Sequence, residues 1–486
     1  MSPSTFVGER NSSESDSPHS VVLAHYDFPF ELYPYQIEGV NLLAGLPRSG
    51  LYLQPGLGKT VVATFCALYK RIIGESDITL GVMPPLLVAQ WARWLSKVKP
   101  KNGEPLRVAR YEGSPAQRRN VSFEADFVLT GLQLFKRDFE RMADEFCRHK
   151  VFTFLDEAQC IKFVGTESYR TFRDFVEDRG AQLLTGTPLN VPMDGYAFIN
   201  IVSPGTYRNL LHYTETHVVA VDIFDAPTEY KNLDLLRDNL LRNSFLKTKE
   251  DVLTDLPEAI VAEIEYDLDK KHYELYKTLS NDKLLELPDG QKIDATQVTA
   301  LYHALGQIVC QWHHFSGEPK LKSKIYDLIE EVLNELGSEK LIVFSNYQRT
   351  NEEIVRRFGC PGIWGQIPHN QKLLNQAQFL EDDKCRLIAM HPQSGGVGLD
   401  GFQHVCRDVL YAEPPITPSH WTQSLSRVHR EGQKKAVTVR MAVAKGTLQR
   451  HLVDRLSEKE ALIQPVQGAK AYLTREEITR LIFGGS

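Results

Sequence analysis

Short apolar runs of four to six residues recur along this chain. Each is closed by a polar turn and followed by a stretch whose apolar positions return with helical spacing. Positions 78–83, 126–130, 151–155 and 182–185 form one set of runs, and 340–344, 386–390, 408–411 and 437–442 form a second. Such runs predict buried strands, and their alternation with amphipathic helices predicts parallel sheets covered on both faces. The pattern therefore predicts an α/β protein with two parallel sheets. The stretch between the two sets is charged and expected to be mostly helical. In SKIYDLIEEVLNELG the residues Ile325, Leu328, Ile329, Val332, Leu333 and Leu336 share one helical face, with Ser323 placed to cap the start and Gly337 to end the helix.

Composition narrows the picture without deciding it. The chain has 486 residues, 42% hydrophobic and 24% charged, which suits two or three globular domains. A formal net charge of -6 excludes a polybasic binder, so any nucleic-acid contact must use a local basic groove. Arg118, Arg119, Lys136, Arg137, Lys434 and Lys435 are candidates for such a phosphate track, although about half of exposed basic residues of this kind are solvated surface. The seven cysteines are scattered, with no spacing of a disulfide framework or zinc knuckle, which fits a reducing compartment. The polar, Ser-rich opening lacks the apolar core of a signal peptide. No apolar run approaches the roughly 20 residues that span a bilayer. The longest, at 61–69, reads as a buried helix.

Three segments carry chemistry. The first is LYLQPGLGKT, at 51–60, between a strand and a helix. Gly56, Leu57 and Gly58 form a loop whose backbone N–H groups can face phosphate oxygens, and the helix start adds its positive dipole end. Lys59 is placed to reach the β- and γ-phosphates and Thr60 to bind magnesium. The strict phosphate-loop pattern asks for a glycine where Leu53 stands. The second is VFTFLDEAQ, where an apolar strand ends in Asp156 and Glu157. A carboxylate at a strand tip can hold a magnesium shell, and its neighbour can activate the attacking water. The third is WTQSLSRVHREGQKK, in which Arg427 and Arg430 are three apart and share a face if the segment is helical. An arginine supplied to the γ-phosphate is worth about 10³–10⁵ in rate, or roughly 4–7 kcal/mol.

In this order, on two sheets, the segments resemble helicase superfamily two, and within it the Swi/Snf-type ATPases. ELYPYQIEGVNLL, VMPPLLVAQW, DFVLTGLQ, LLTGTPLN, FLKTKEDVLTDLP, KLIVFSNYQRT, HPQSGGVGLDG and QSLSRVHREGQKKAVTV each look like a motif of that family. The resemblance covers positions 30–462. It implies two RecA-like lobes: a flexible lead-in at 1–23, an ATP-binding lobe at 24–205, a helical inter-lobe region at 206–320, a second lobe at 321–475 and a tail at 476–486. It also implies that ATP and magnesium are bound, with Gln36 reading adenine, Gly398 and Asp400 lining the cleft near the ribose, and Gln423, Arg427 and Arg430 sensing the γ-phosphate. Gln90, Thr130, Gln159, Thr185, Gly186, Thr187, Ser345, Asn346 and Ser394 are then the candidates for DNA contact or coupling, since hydroxyl and amide groups suit contacts that break in each cycle.

Several positions depart from the family pattern. Gln159 stands where His is usual after the acidic pair. Leu53, Gln54 and Pro55 replace Asp-Glu-Met, Leu246 and Lys247 replace paired arginines, and Ile416 replaces a tryptophan. Every group that hydrolysis needs is present. Cys310, His313 and His314 in CQWHH are read as packing rather than zinc ligands. Trp91 and Trp94 are read as packing too. The expected function is an ATP-driven translocase on double-stranded DNA, a cytoplasmic monomer of bacterial or viral type, with a protein partner supplying any targeting and no membrane contact. A strand-separating helicase and an ATP-controlled clamp or protein displacer are the alternatives.

Overall fold

The computed structural model describes residues 17–221, 227–252, 257, 259–282, 284–286, 292–294, 298–317, 321–393, 401–450 and 452–454. The chain divides between Thr248 and Lys249 into two units.

The first unit is built on strands β1 (Arg48–Leu53), β2 (Ile78–Met83), β3 (Val108–Tyr111), β4 (Phe127–Gly131), β5 (Val151–Asp156), β6 (Gly180–Thr185) and β7 (Ser244–Lys247). They form one seven-stranded sheet in the order β7-β1-β6-β5-β2-β4-β3, and every neighbouring pair is parallel. All six residues of β2 and all six of β5 are buried, as expected for strands covered on both faces. Gly81 of β2 is required by this packing, because a Cβ there would lie 2.5 Å from the Phe154 ring of β5. Helix α1 (Pro34–Leu43), α2 (Lys59–Ile72) and α3 (Pro85–Leu95) cover the sheet, and α1 and α3 each begin on a proline, whose missing N–H costs nothing at a helix start. In α2 the run from Val61 to Leu68 is buried throughout.

The second unit contains β8 (Ala259–Tyr266), β9 (Lys340–Phe344), β10 (Gly362–Ile363), β11 (Leu387–Met390), β12 (Cys406–Tyr411) and β13 (Val437–Ala444), in the order β8-β13-β12-β9-β11-β10. Here too every neighbouring pair is parallel. Alternate residues of β9 serve different cores: Leu341 and Val343 pack on one face, Ile342 and Phe344 on the other. The first core includes α4 (Val298–Cys310) and α5 (Lys324–Glu335). Helix α5 begins after Ser323 as expected, but the Ser323 hydroxyl accepts the backbone N–H of Trp312 at 2.9 Å instead of capping α5. Gly337 follows its C-cap with φ of 60°. Helix α6 (Gln348–Phe358) follows β9, and α7 (Pro418–Leu425) follows β12.

The segment 206–320 holds helices Leu210–His217, Leu233–Leu241 and Lys270–Asp282 besides α4, and it also supplies β7 to the first sheet and β8 to the second. Both are edge strands. β8 is largely half-buried, so it lacks the continuous apolar run that identifies the central strands. No helix among the described residues is long and apolar enough to cross a membrane.

Candidate nucleotide site and coupling residues

The carboxyl ends of β1, β5 and β6 carry the chemistry of the first unit. After β1 the chain turns through Gly56 and Gly58, with φ of 97° and 82°, a region that only glycine enters without strain. A Cβ on Gly58 would lie 2.3 Å from Gln36 Nε2, so the Gln36 amide would have to move aside. Lys59 and Thr60 open α2, and their N–H groups have no intrahelical acceptor, as at any helix start. The Leu57 N–H bonds Gln54 O at 3.1 Å, and Lys59 Nζ donates to Leu53 O at 3.0 Å across the loop. Lys59 thus rests on backbone, within reach of the space that phosphates would take.

Gln36, on α1, is 4% exposed. Its Nε2 donates to Leu57 O at 3.2 Å and its Oε1 accepts the Tyr33 N–H at 3.1 Å. The Tyr35 hydroxyl reaches the same Leu57 carbonyl at 3.2 Å. Gln36 and Tyr35 therefore brace the phosphate loop, and reading an adenine edge requires Gln36 to exchange one of these bonds.

At the tip of β5, Asp156 is buried. Its Oδ2 accepts the indole N–H of Trp91 at 2.8 Å and its Oδ1 accepts the Glu157 N–H at 2.9 Å. Burial raises its pKa, reinforced by the Glu157 carboxylate, while Lys59 and the Trp91 N–H pull it down. Trp91, expected only to pack, is both packed against Phe154 at 4.4 Å between ring centroids and a direct partner of Asp156. Trp94 is half-buried and donates to Thr64 on α2 at 2.9 Å.

Glu157 adopts a left-handed backbone, φ 54° and ψ 50°, which is costly for a residue with a Cβ and typical of functional positions. Its carboxylate accepts Gln159 Nε2 at 2.7 Å, and Gln159 Oε1 accepts the Thr185 hydroxyl at 2.8 Å. Thr185 in turn accepts the Thr187 N–H at 3.1 Å. Gly186 between them is pressed to the phosphate loop, where a Cβ would lie 2.7 Å from Pro55 Cδ. One hydrogen-bonded chain thus joins Glu157, Gln159 and the TGT turn after β6. Of the other coupling candidates in this unit, Gln90 is exposed on α3. Thr130 is fully buried and donates to Tyr111 O at 3.2 Å, so in this structure its hydroxyl serves the sheet and not the surface.

The residues present fit a magnesium nucleotide. Each Asp156 oxygen accepts one N–H and keeps lone-pair capacity for a metal's water shell, and the Thr60 hydroxyl stands at the helix start beside the loop. Asp156 and Thr60 would hold the ion, which would supply positive charge against the charge that develops on the phosphates.

In the second unit the Ser345–Asn346 turn follows β9. Ser394, Gly398 and Asp400 lie outside the described residues. Gln423 is on α7, half-buried. The helix ends at Leu425, so Arg427 and Arg430 stand beyond it and not on it. Tighter bonds carry the chain onward, Arg427 N–H to Ser424 O and Val428 N–H to Leu425 O. Ser424 and Ser426 hydroxyls donate to carbonyls of the last turns, a competition that favours helix ends. Gln433 holds the end of this segment. Its Nε2 donates to Cys406 O at 3.0 Å and its Oε1 accepts the N–H groups of Lys434 and Lys435. Cys310 is buried against Ala412, and His313 faces Glu353. Among the described residues no group of His, Cys, Asp and Glu could hold a metal ion by itself.

A glycine-lined loop at a helix start, beside strand-tip carboxylates on a parallel sheet, defines a phosphate-loop nucleotide-binding protein. Residues 35–314 match the model of the SNF2-related domain, and the chain belongs to that family. It is 24% identical over 475 residues to an "Uncharacterized ATP-dependent helicase" of Mycoplasma pneumoniae, covering 92% of this chain and 44% of that one. It is 24% identical over 469 residues to "DNA annealing helicase and endonuclease ZRANB3" of Bos taurus, covering 92% and 42%. The chain thus spans less than half the length of these relatives. A solved structure of the Sulfolobus solfataricus SWI2/SNF2 ATPase core in complex with dsDNA is similar over 94% of this chain and 98% of that one, with 20% identity and a TM-score of 0.42.

Proposed function

We propose that this chain is an ATP hydrolase that uses the energy to move along double-stranded DNA. The observation that carries the reading is the chain of hydrogen bonds from Glu157 through Gln159 to Thr185 and Thr187. A simple hydrolase needs Glu157 to activate water. It has no need of a half-buried polar relay from that carboxylate to the turn after the next strand. A motor does, because the state of the nucleotide must alter the grip on its track.

In this reading the phosphate loop and Lys59 hold the β- and γ-phosphates. Asp156 and Thr60 would hold magnesium and Glu157 would take the proton of the attacking water, while Arg427 and Arg430 are the arginines proposed, from the family resemblance alone, to sense the γ-phosphate. The track is supported by a cavity of about 580 Å³ on the first unit, whose lining includes Arg118, Arg119, Lys136, Arg137 and Arg141. Arg118 is fixed there by Asp138 at 2.7 Å. The net charge of the chain is negative, so a local cationic cavity of this kind is what a polyanion requires.

Triplex displacement tests movement. With ATP, the wild-type chain releases a third strand placed away from its loading site, and Glu157→Gln does not. ATP turnover without release would overturn translocation in favour of a clamp, and separation of a tailed duplex would favour a helicase.

A further inference from the structure

Beneath the Ser345–Asn346 turn of the second unit lies a carboxylate that sequence reasoning did not single out. Glu413 follows β12 and is 2% exposed. Its Oε1 accepts the Ser345 hydroxyl at 3.0 Å and its Oε2 accepts the Asn346 N–H at 3.1 Å. The next residue continues the contact, since Asn346 Nδ2 donates to Pro414 O at 2.9 Å. From the other side Asn351, on α6, donates to Ser345 O at 3.0 Å and to Tyr347 O at 3.2 Å. The turn is therefore held at side chain and backbone by two elements that are separate in sequence.

The titratable groups that face Glu413 are Cys310 of α4, Tyr266 of β8 and Tyr326 of α5. Ser345 and Thr350 add hydroxyls. These groups are neutral, and no ion pair of Glu413 is found among the described residues. A buried carboxylate without a basic partner is expensive, and a neutral side chain of the same shape would fill this space at lower cost. What the carboxylate adds is acceptance on both oxygens, which fixes Ser345 and Asn346 together.

We propose that Glu413 is the positioning residue of the second unit's coupling turn, holding Ser345 and Asn346 in the geometry that meets the polynucleotide. The proposal rests on the DNA-motor reading given above. Glu413 touches neither nucleotide nor track in this role and acts through the two residues it holds. Leu at 413 occupies a similar space but presents no acceptor, so both the Ser345 and the Asn346 bonds to this side chain are lost.

The test uses the full chain as wild type, Glu413→Leu and Glu413→Asp, at about pH 8.5, where Glu413 is ionised. Amide exchange at 345–347 is measured without ligands, and ATP turnover is measured with and without a random-sequence duplex. In Glu413→Leu the Asn346 amide, left without its acceptor, exchanges at least about tenfold faster, the fold-change for one lost charge-assisted bond. The basal rate stays unchanged, and the duplex concentration for half-stimulation rises several-fold. Glu413→Asp, which keeps two acceptors on a shorter arm, falls between. Unchanged exchange overturns the proposal, and so does faster exchange with an unaltered duplex response. Equal loss of basal and stimulated rates with a lowered unfolding midpoint also overturns it, since that is the mark of a merely structural residue. A wild-type chain that ignores duplex fails at an earlier step. It removes the DNA-motor reading and this proposal with it, whereas a responsive wild type with an equally responsive variant removes the proposal alone.

Discussion

Gln159 accepts the Thr185 hydroxyl at 2.8 Å while donating to Glu157 at 2.7 Å. The usual residue of the family at this position is His, so the relay survives on a different side chain. An amide offers a donor group and an acceptor oxygen whatever the pH, whereas the donor count of imidazole changes near neutrality. Thr185→Val removes the hydroxyl in a fully buried place and leaves Gln159 Oε1 without this donor. That costs about 1–3 kcal/mol of stability, and DNA-stimulated turnover falls while nucleotide binding persists. Nucleotide titration beside stimulated ATPase assays checks this. Equal loss of binding and turnover would mean that Thr185 only supports the loop.

Trp91→Phe keeps most of the packing on Phe154 but removes the N–H held by Asp156. The raised pKa of Asp156 then rises further, because this N–H lowers it. The charged form needed for magnesium is less favoured by about 1.5–3 kcal/mol, the range for a hydrogen bond to a charged group. The expected result is a weaker apparent magnesium affinity, most marked at acidic pH, with turnover recovered at high magnesium. An unchanged magnesium requirement across pH would refute the role given to Trp91.

The left-handed backbone at Glu157 makes a separate forecast. Glu157→Gly relieves about 1–2 kcal/mol of backbone strain, so the variant unfolds at equal or higher denaturant concentration even though it loses turnover. Glu157→Gln loses turnover without this gain. Chemical denaturation of both variants separates strain held for function from strain without consequence.

Stability should also depend on pH through Glu413, whose pKa burial pushes up from 4.5 to about 7. The folded state holds its proton over a range in which the unfolded state has lost it. This group therefore favours folding most below about pH 4.5, and that advantage declines as pH rises to about 7, by up to about 3 kcal/mol. Asp156 and Asp194, also raised by burial, add to the same slope. Glu413→Gln should flatten the decline seen in denaturation at pH 5, 6 and 7, and an unaltered slope would contradict the burial of a titrating acid here.

The central strands were legible because they are buried on both faces. The run 78–83 and the run 340–344 coincide with β2 and β9. The edge strands β7 and β8 were not, since β7 is only four residues with a polar residue at each end, and β8 sets Glu263 and Glu265 among its apolar residues, which dilutes the apolar signal. The place of the glycine loop between a strand and a helix, and of the acidic pair at a strand tip, could be read from residue type and spacing. Trp91 and Glu413 could not. Each acts through one contact with a residue far away in sequence, at separations of 65 and 68, and no local pattern announces such a partner. Arg427 and Arg430 show the opposite error, in which a helical spacing extended past the place where serine hydroxyls end the helix.

The measurement that bears most directly on the motor reading is the rate of ATP hydrolysis with no polymer, with duplex DNA, with single-stranded DNA and with RNA, using Lys59→Ala and Glu157→Gln as controls. The expected result is strong stimulation by duplex DNA that both substitutions abolish. Turnover that both substitutions abolish but that no polymer stimulates would contradict it, leaving an ATP hydrolase without a DNA track.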